Sequence, residues 1–218
     1  MKINLLVIFL FTSLFLNAQI QKGGLFIGGD VSLYSYKVTS TNPNEYIAKN
    51  KGYEFSPSVG WVLKDNVLIG GNIRLTFSEN EQQPSNTYSK GNRIGGGIWM
   101  RKYLPLGKSF YLFGNAGLNA QSIYNKYTVV QQPYYSKEKG YAINASLTPG
   151  ISYQVRKSLF LEAALNNLIT LGYERRKSEQ QTQNTIVYKG TSNSYNLSSS
   201  LGNGSPLQIG MRWIIPKK

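Results

Sequence analysis

The residues best suited to carry chemistry are absent from this chain or scattered through it. It contains no histidine, which removes histidine-based triads and histidine metal ligands together. It contains no cysteine, so thiolate nucleophiles and disulfides are absent too. The charges that stand out are Asp30, Glu54 and Glu162 and the arginines Arg74, Arg93, Arg101 and Arg212. Two carboxylates can hydrolyse a glycoside, but Glu54 and Glu162 belong to separate stretches among arginines, a pattern that favours ion pairing. Gly95-Gly96-Gly97 runs on into Ile98-Trp99-Met100 with no Lys-Ser/Thr and no helix pattern, so it is not a phosphate cradle. No spacing points to Ser–Lys chemistry. The expectation is a non-enzymatic protein with no catalytic residue, no cofactor and no metal site.

The elements that hold those charges are strands. Apolar residues recur at every second position, which puts successive side chains on opposite faces. Phe55-Ser-Pro-Ser-Val-Gly-Trp61 followed by Val67-Leu-Ile69 is echoed by Leu147-Thr-Pro-Gly-Ile-Ser-Tyr153 followed by Leu159-Phe-Leu161. Each reads as strand, tight turn and strand. Eight strands are predicted on this pattern: 24–36, 53–63, 67–77, 92–103, 110–124, 141–155, 159–173 and 206–215. Short breaks follow the second, fourth and sixth. The polar stretches 37–52, 78–91, 125–140 and 174–196 read as four long loops. Short turns at one end and long loops at the other are the layout of an all-β, eight-stranded antiparallel up-and-down transmembrane barrel, with periplasmic turns and extracellular loops. Pro57 and Pro149 fall within strands, and a closed barrel has no edge to host them, so a bulge or a missing ladder bond is expected at each.

Alternation alone does not say which face is inside. In a soluble barrel the interior is apolar; in a membrane barrel the apolar face turns outward. Trp61, Phe110, Tyr153 and Trp213 sit near short-turn ends of the apolar face, and Tyr53, Phe77, Tyr141 and Tyr173 near long-loop ends. Two such girdles match the two interfaces of a bilayer. The polar face, with Asp30, Glu54, Arg74, Arg93, Arg101, Glu162 and Arg212, then lines the lumen. Charges in so narrow a space need partners, and eight strands enclose little more than their own side chains. A filled lumen with no open pore is expected, the glycines of the polar face making room.

Residues 1–18 have a positive start at Lys2, an apolar run from Ile3 to Leu16 and a small residue, Ala18, as a secretory signal peptide requires. Residues 19–218 are then one barrel domain. The net charge of +14 is dispersed, and with export it fits a basic surface facing anionic lipid headgroups or glycans better than nucleic acid. Tyr46, Tyr88, Tyr127, Tyr134, Tyr135, Tyr188 and Tyr195 stand among Lys, Asn and Gln in the polar stretches. That composition suits recognition of an extracellular ligand, and it equally suits loops that shield a barrel.

Asn17-Ala18-Gln19, the stretch Ser56 to Asn66, Arg101-Lys102-Tyr103-Leu104-Pro105-Leu106-Gly107 with Tyr111-Leu112-Phe113-Gly114, and the closing Gly210-Met211-Arg212-Trp213 together resemble the small outer-membrane β-barrel proteins of the OmpA and OmpX type. The resemblance covers residues 20–215. It implies a location in the outer membrane, contact with its lipid and lipopolysaccharide, and insertion by the barrel-assembly machinery. It implies no activity. Such barrels often finish on an aromatic residue, whereas here Ile214-Ile215-Pro216-Lys217-Lys218 follows Trp213. A soluble exported barrel holding an apolar small molecule is the rival reading, and a lipid-modifying membrane enzyme is a third.

Overall fold

The computed structural model describes residues 20–40, 46–84, 86–129, 134–165, 167–182, 185–199, 201 and 207–217. The expected signal peptide lies outside them. Among the described residues there is no α-helix. The chain forms β1 (Leu25–Ser40), β2 (Tyr46–Lys64), β3 (Val67–Gln83), β4 (Thr87–Pro105), β5 (Phe110–Val129), β6 (Tyr134–Arg156), β7 (Leu159–Leu165), β8 (Ile169–Thr182), β9 (Thr185–Ser198) and β10 (Leu207–Ile215).

These ten segments build a closed eight-stranded antiparallel barrel. β1 to β6 pair in order around the wall. β7 and β8 follow one another along β6, and β10 and β9 lie against them in the same succession. β10 returns to β1 and completes the ring. The eight expected strands are therefore present, with the last two positions each divided in two.

Two features differ from the sequence reading. The polar stretches expected as loops are largely paired strand: β3 and β4 stay in register up to Gln82↔Thr87 and β5 and β6 up to Val129↔Tyr134, while β8 and β9 pair up to Thr182↔Thr185 across a register shift between Gln180 and Gln181. The wall thus continues upward as hairpin arms. Backbone pairing needs no apolar face, and β-branched and aromatic residues such as Thr87, Tyr127 and Val129 favour it. The second difference is the break between β7 and β8. From Gly150↔Ala164 to Leu147↔Ile169, three steps on β6 face five on its partner, so two extra residues bulge out. Asn167 adopts a positive φ of 50° there, and its N–H donates to Thr148 Oγ1 at 3.1 Å. The bulge lies opposite Pro149, where an irregularity is expected. At Pro57 the β2–β3 ladder skips from Phe55↔Leu75 to Ser58↔Asn72 without changing register.

The alternation places most large aliphatic side chains of the band on the outer surface. Val59, Ile69, Ile73, Ile94, Ile98, Leu118, Leu147, Ile151, Leu171, Ile209 and Met211 are all exposed. Inside, the turn end is a packed plug of Phe26, Val62, Leu68, Trp99, Tyr103, Tyr111, Phe113, Phe160 and Ile214. Glycines make space for it. A Cβ on Gly60 or Gly70 would stand 2.7 or 2.4 Å from the Trp99 ring. The segment before β1 closes this end: Ile20 N donates to Asn66 Oδ1 at 3.0 Å, and Asn66 N donates to the Ile20 carbonyl at 2.9 Å. Asn66, at φ 62°, supplies the left-handed residue that the Asp65-Asn66 turn demands.

Candidate functional site

Directly above the aromatic plug lies a layer of charge. Glu162, on β7, is buried and accepts from Arg101 Nη1 at 2.9 Å through both oxygens. It also accepts from Tyr103 Oη at 2.7 Å, and Arg212 Nε approaches it at 3.4 Å. Arg101 and Tyr103 share the inward face of β4 because they are two residues apart in a strand. Arg101 Nε donates further to Asn115 Oδ1 at 3.3 Å, and its guanidinium stands 4.5 Å from the Phe113 ring centroid. Arg212 donates to Asp30 Oδ1 at 2.5 Å and to the Gly29 carbonyl at 2.6 Å. Gly28 and Gly210 leave room for it, since a Cβ at either would lie 2.5 or 2.8 Å from the Arg212 side chain.

Of the seven lumen charges expected from sequence, Asp30, Arg101, Glu162 and Arg212 thus meet in one network. Glu54 and Arg74 form a separate, half-buried pair at 3.4 Å. Arg93 is not brought in. Its register partners on the neighbouring strands are Thr76 and Ile123, which offer no carboxylate. Tyr103 and Asn115 belong to the network but carry no charge, so a search for charged residues passes over them. A second cluster sits higher, where Arg176 bonds Glu174 and reaches Glu138 at 3.4 Å, while Asn125 Nδ2 donates to Glu138 Oε2 at 3.1 Å. Donating a hydrogen bond to Glu174 pushes the Arg176 guanidinium further up. These residues fall in stretches that read as loops by composition and are inward-facing only because the strands continue.

Between the two clusters the lumen widens into a polar cup of about 90 Å³, bounded by Ser56, Ser58, Asn72, Asn115, Asn119, Ser146, Thr148 and Gln208 above the charge layer. Arginines balanced by carboxylates give it no catalytic pair of free acids. Among the described residues, no group of three or more acidic side chains is placed to hold a metal ion.

No protein-family model matches this chain, and a search of curated proteins finds no relative.

The outward aromatics form two rings on the barrel surface. Trp61, Phe110, Tyr153 and Trp213 are exposed near the turn end, with the Phe110 and Tyr153 rings 4.7 Å apart. Tyr53, Phe77 and Tyr141 are exposed at the other level. Tyr173 lies there too, half-buried between Tyr141 and Tyr195 at ring distances of 6.0 and 5.0 Å. Tyr53 and Trp61 are eight residues apart on one strand. At ~3.3 Å per residue and a tilt of ~40°, that separates the two levels by roughly 20 Å, and the ring bodies extend it toward the ~25 Å of a membrane barrel's apolar band.

On the arms, Lys90 bonds Glu79 at 2.9 Å, holding the Glu79 carboxyl below its usual range, while Tyr88 and Glu79 push the Lys90 ammonium up. Lys126 and Lys137 stand over the rings of Tyr135 and Tyr124 at 5.1 and 5.8 Å. Two of the tyrosines expected in loops, Tyr88 and Tyr135, are therefore partners of arm lysines on paired strands.

Proposed function

We propose that this protein is a non-enzymatic integral outer-membrane barrel whose lumen is sealed and whose hairpin arms serve structure or surface interaction. The observation that carries the reading is the inverted facing. Exposed isoleucines, leucines and aromatics cover the outer wall, while Glu162, Arg101 and Arg212 are buried at its centre. In water that arrangement would expose a continuous apolar belt and bury charge at a cost. In a bilayer the belt is solvated by lipid, and the paired strands of the wall satisfy their backbone groups internally. The rival soluble carrier needs an apolar interior cavity, and the cup here is lined by hydroxyl, amide and charged groups.

The plug at the turn end argues against conduction, because Tyr103, Tyr111, Phe113 and Phe160 pack ring against ring across the lumen. The resemblance to OmpA- and OmpX-type barrels belongs to the same proposal, with outer-membrane lipid, lipopolysaccharide and the barrel-assembly machinery as partners. Fractionation tests it. The protein should stay in the envelope pellet after a urea wash, require detergent for release, and run faster on a gel before boiling than after. Recovery in the soluble periplasmic fraction would refute it.

A further inference from the structure

The barrel wall is not equally closed all round. On β1, the residues facing Trp61 and Tyr53 of the two aromatic levels are Leu25 and Leu33. Among the described residues, the β1–β10 ladder runs only from Leu25↔Ile215 to Gly28↔Arg212. Gly29 to Leu33 therefore lies inside the apolar band without a ladder partner on this side, opposite Leu207 to Met211. Both edges are held firmly from behind, β1 by β2 and β10 by β7. Between them lies a slot of about 360 Å³ that is open along the outer surface.

The slot has two chemistries. Its outer rim is apolar, with Ile27 and Val31 on one side and Ile209 and Met211 on the other. Its floor is the backbone of Gly28, Gly29 and Gly210, and the Arg212 side chain stands behind it on the lumen side. Asp30 and Gly210 border both this slot and the polar cup behind it. Where the ladder stops, the Arg212 side chain takes its place by donating to the Gly29 carbonyl at 2.6 Å.

We propose that this seam is a lateral port for a single-chain amphiphile with an uncharged, hydroxyl-bearing headgroup, such as a monoacylglycerol, its chain in the slot and its head in the cup. The inference rests on the membrane reading above. The head is uncharged because Arg74, Arg101 and Arg212 are already balanced by Glu54, Glu162 and Asp30. It carries hydroxyls because the cup offers hydroxyl and amide partners, and because the buried Asn119 Oδ1 accepts no hydrogen bond. A cup of about 90 Å³ equals several water positions at ~10–15 Å³ each, which suits a head of glycerol size.

The three tryptophans make this measurable. Trp99 lines the cup, whereas Trp61 and Trp213 face outward. In vesicles, a W61F/W213F protein keeps Trp99 as its sole tryptophan. A monoacylglycerol brominated near its ester should quench most of the Trp99 emission saturably, and a phosphatidylcholine brominated at the same carbons should not. The chain has no cysteine, so Val31→Cys with Ile209→Cys places a unique pair across the seam. Bridging that pair, by oxidation or by a short bis-maleimide, should abolish quenching; reducing the oxidised sample should restore it in the same molecules. No quenching, equal quenching in the bridged protein, or equal quenching by the phospholipid would overturn the port. The W99F protein separates the two readings. Loss of its Trp61 and Trp213 emission to brominated phosphatidylcholine shows insertion; a folded, heat-modifiable protein that shows none would refute the membrane reading itself.

Discussion

The β4–β5 wall and the β1–β10 seam are made from the same alternating sequence, yet they close by different means. β4 and β5 pair without interruption from Thr87↔Val129 to Pro105↔Tyr111. β1 and β10 pair from Leu25 to Gly28 and then hand over to one side chain, Arg212. In the wall, cohesion is spread over a long ladder, so no single residue governs it. At the seam it is concentrated in a guanidinium that also belongs to the buried charge layer. Closure of this barrel is thus coupled to the electrostatics of its lumen.

Breaking the charge layer should have the largest effect. Glu162→Gln leaves Arg101 and Arg212 without their shared carboxylate, and losing one partner of a buried ion pair costs about 3–5 kcal/mol. Urea unfolding in lipid should register that loss, and seam amides at Gly29 to Leu33 should exchange faster in the same variant. The wall should respond to its solvent instead. Ile98→Lys, on the outer surface midway along β4, should cost about 2–4 kcal/mol if that surface faces hydrocarbon. The same change in water would leave the unfolding midpoint close to wild type. Arg212→Lys keeps the charge but gives up the planar fork that reaches both Asp30 and Gly29. The expected loss is about 1.5–3 kcal/mol, as for hydrogen bonds to a charged group, with faster exchange confined to the seam.

How much of this was legible in the sequence follows from where the signal lies. Which residues share a face was legible because apolar residues alternate with polar ones from Val67 to Phe77 and from Asn92 to Met100, and the aromatics near the strand ends pointed the apolar face outward. The short turn was legible in Lys64-Asp65-Asn66. The arms were not, because Lys, Thr, Asn and Gln carry no facing signal even when their backbones are paired. The β7–β8 break was hidden because Leu159 to Tyr173 keeps an alternating look across Asn167. Partnerships across the lumen were the least legible. Arg101 and Glu162 are 61 residues apart in the chain, and only the stagger of the closed barrel sets them at one level. That stagger also leaves Arg93 facing Thr76 and Ile123.

The arms should show the smallest effect. The Glu79 carboxyl is held below its usual range by Lys90, so its contribution is present above the unfolded carboxylate value and is lost as pH falls through the lower folded one. The pair is solvent-exposed, so acidification should lower amide protection, taken against the intrinsic exchange rate at each pH, in the β3–β4 arm and leave protection of the wall and the seam unchanged. A shift in global unfolding would contradict that separation.

The inverted facing is the claim on which the rest depends, and a cysteine-free chain allows it to be tested residue by residue. Single cysteines at Ile94, Ile98 and Met100 on the outer face of β4, and at Lys90 on its arm, can be challenged in membranes with a water-soluble and a lipid-soluble maleimide. The prediction is that the three wall positions react only with the lipid-soluble reagent, while position 90 reacts with both. Equal reaction of the wall positions with the water-soluble reagent would contradict it.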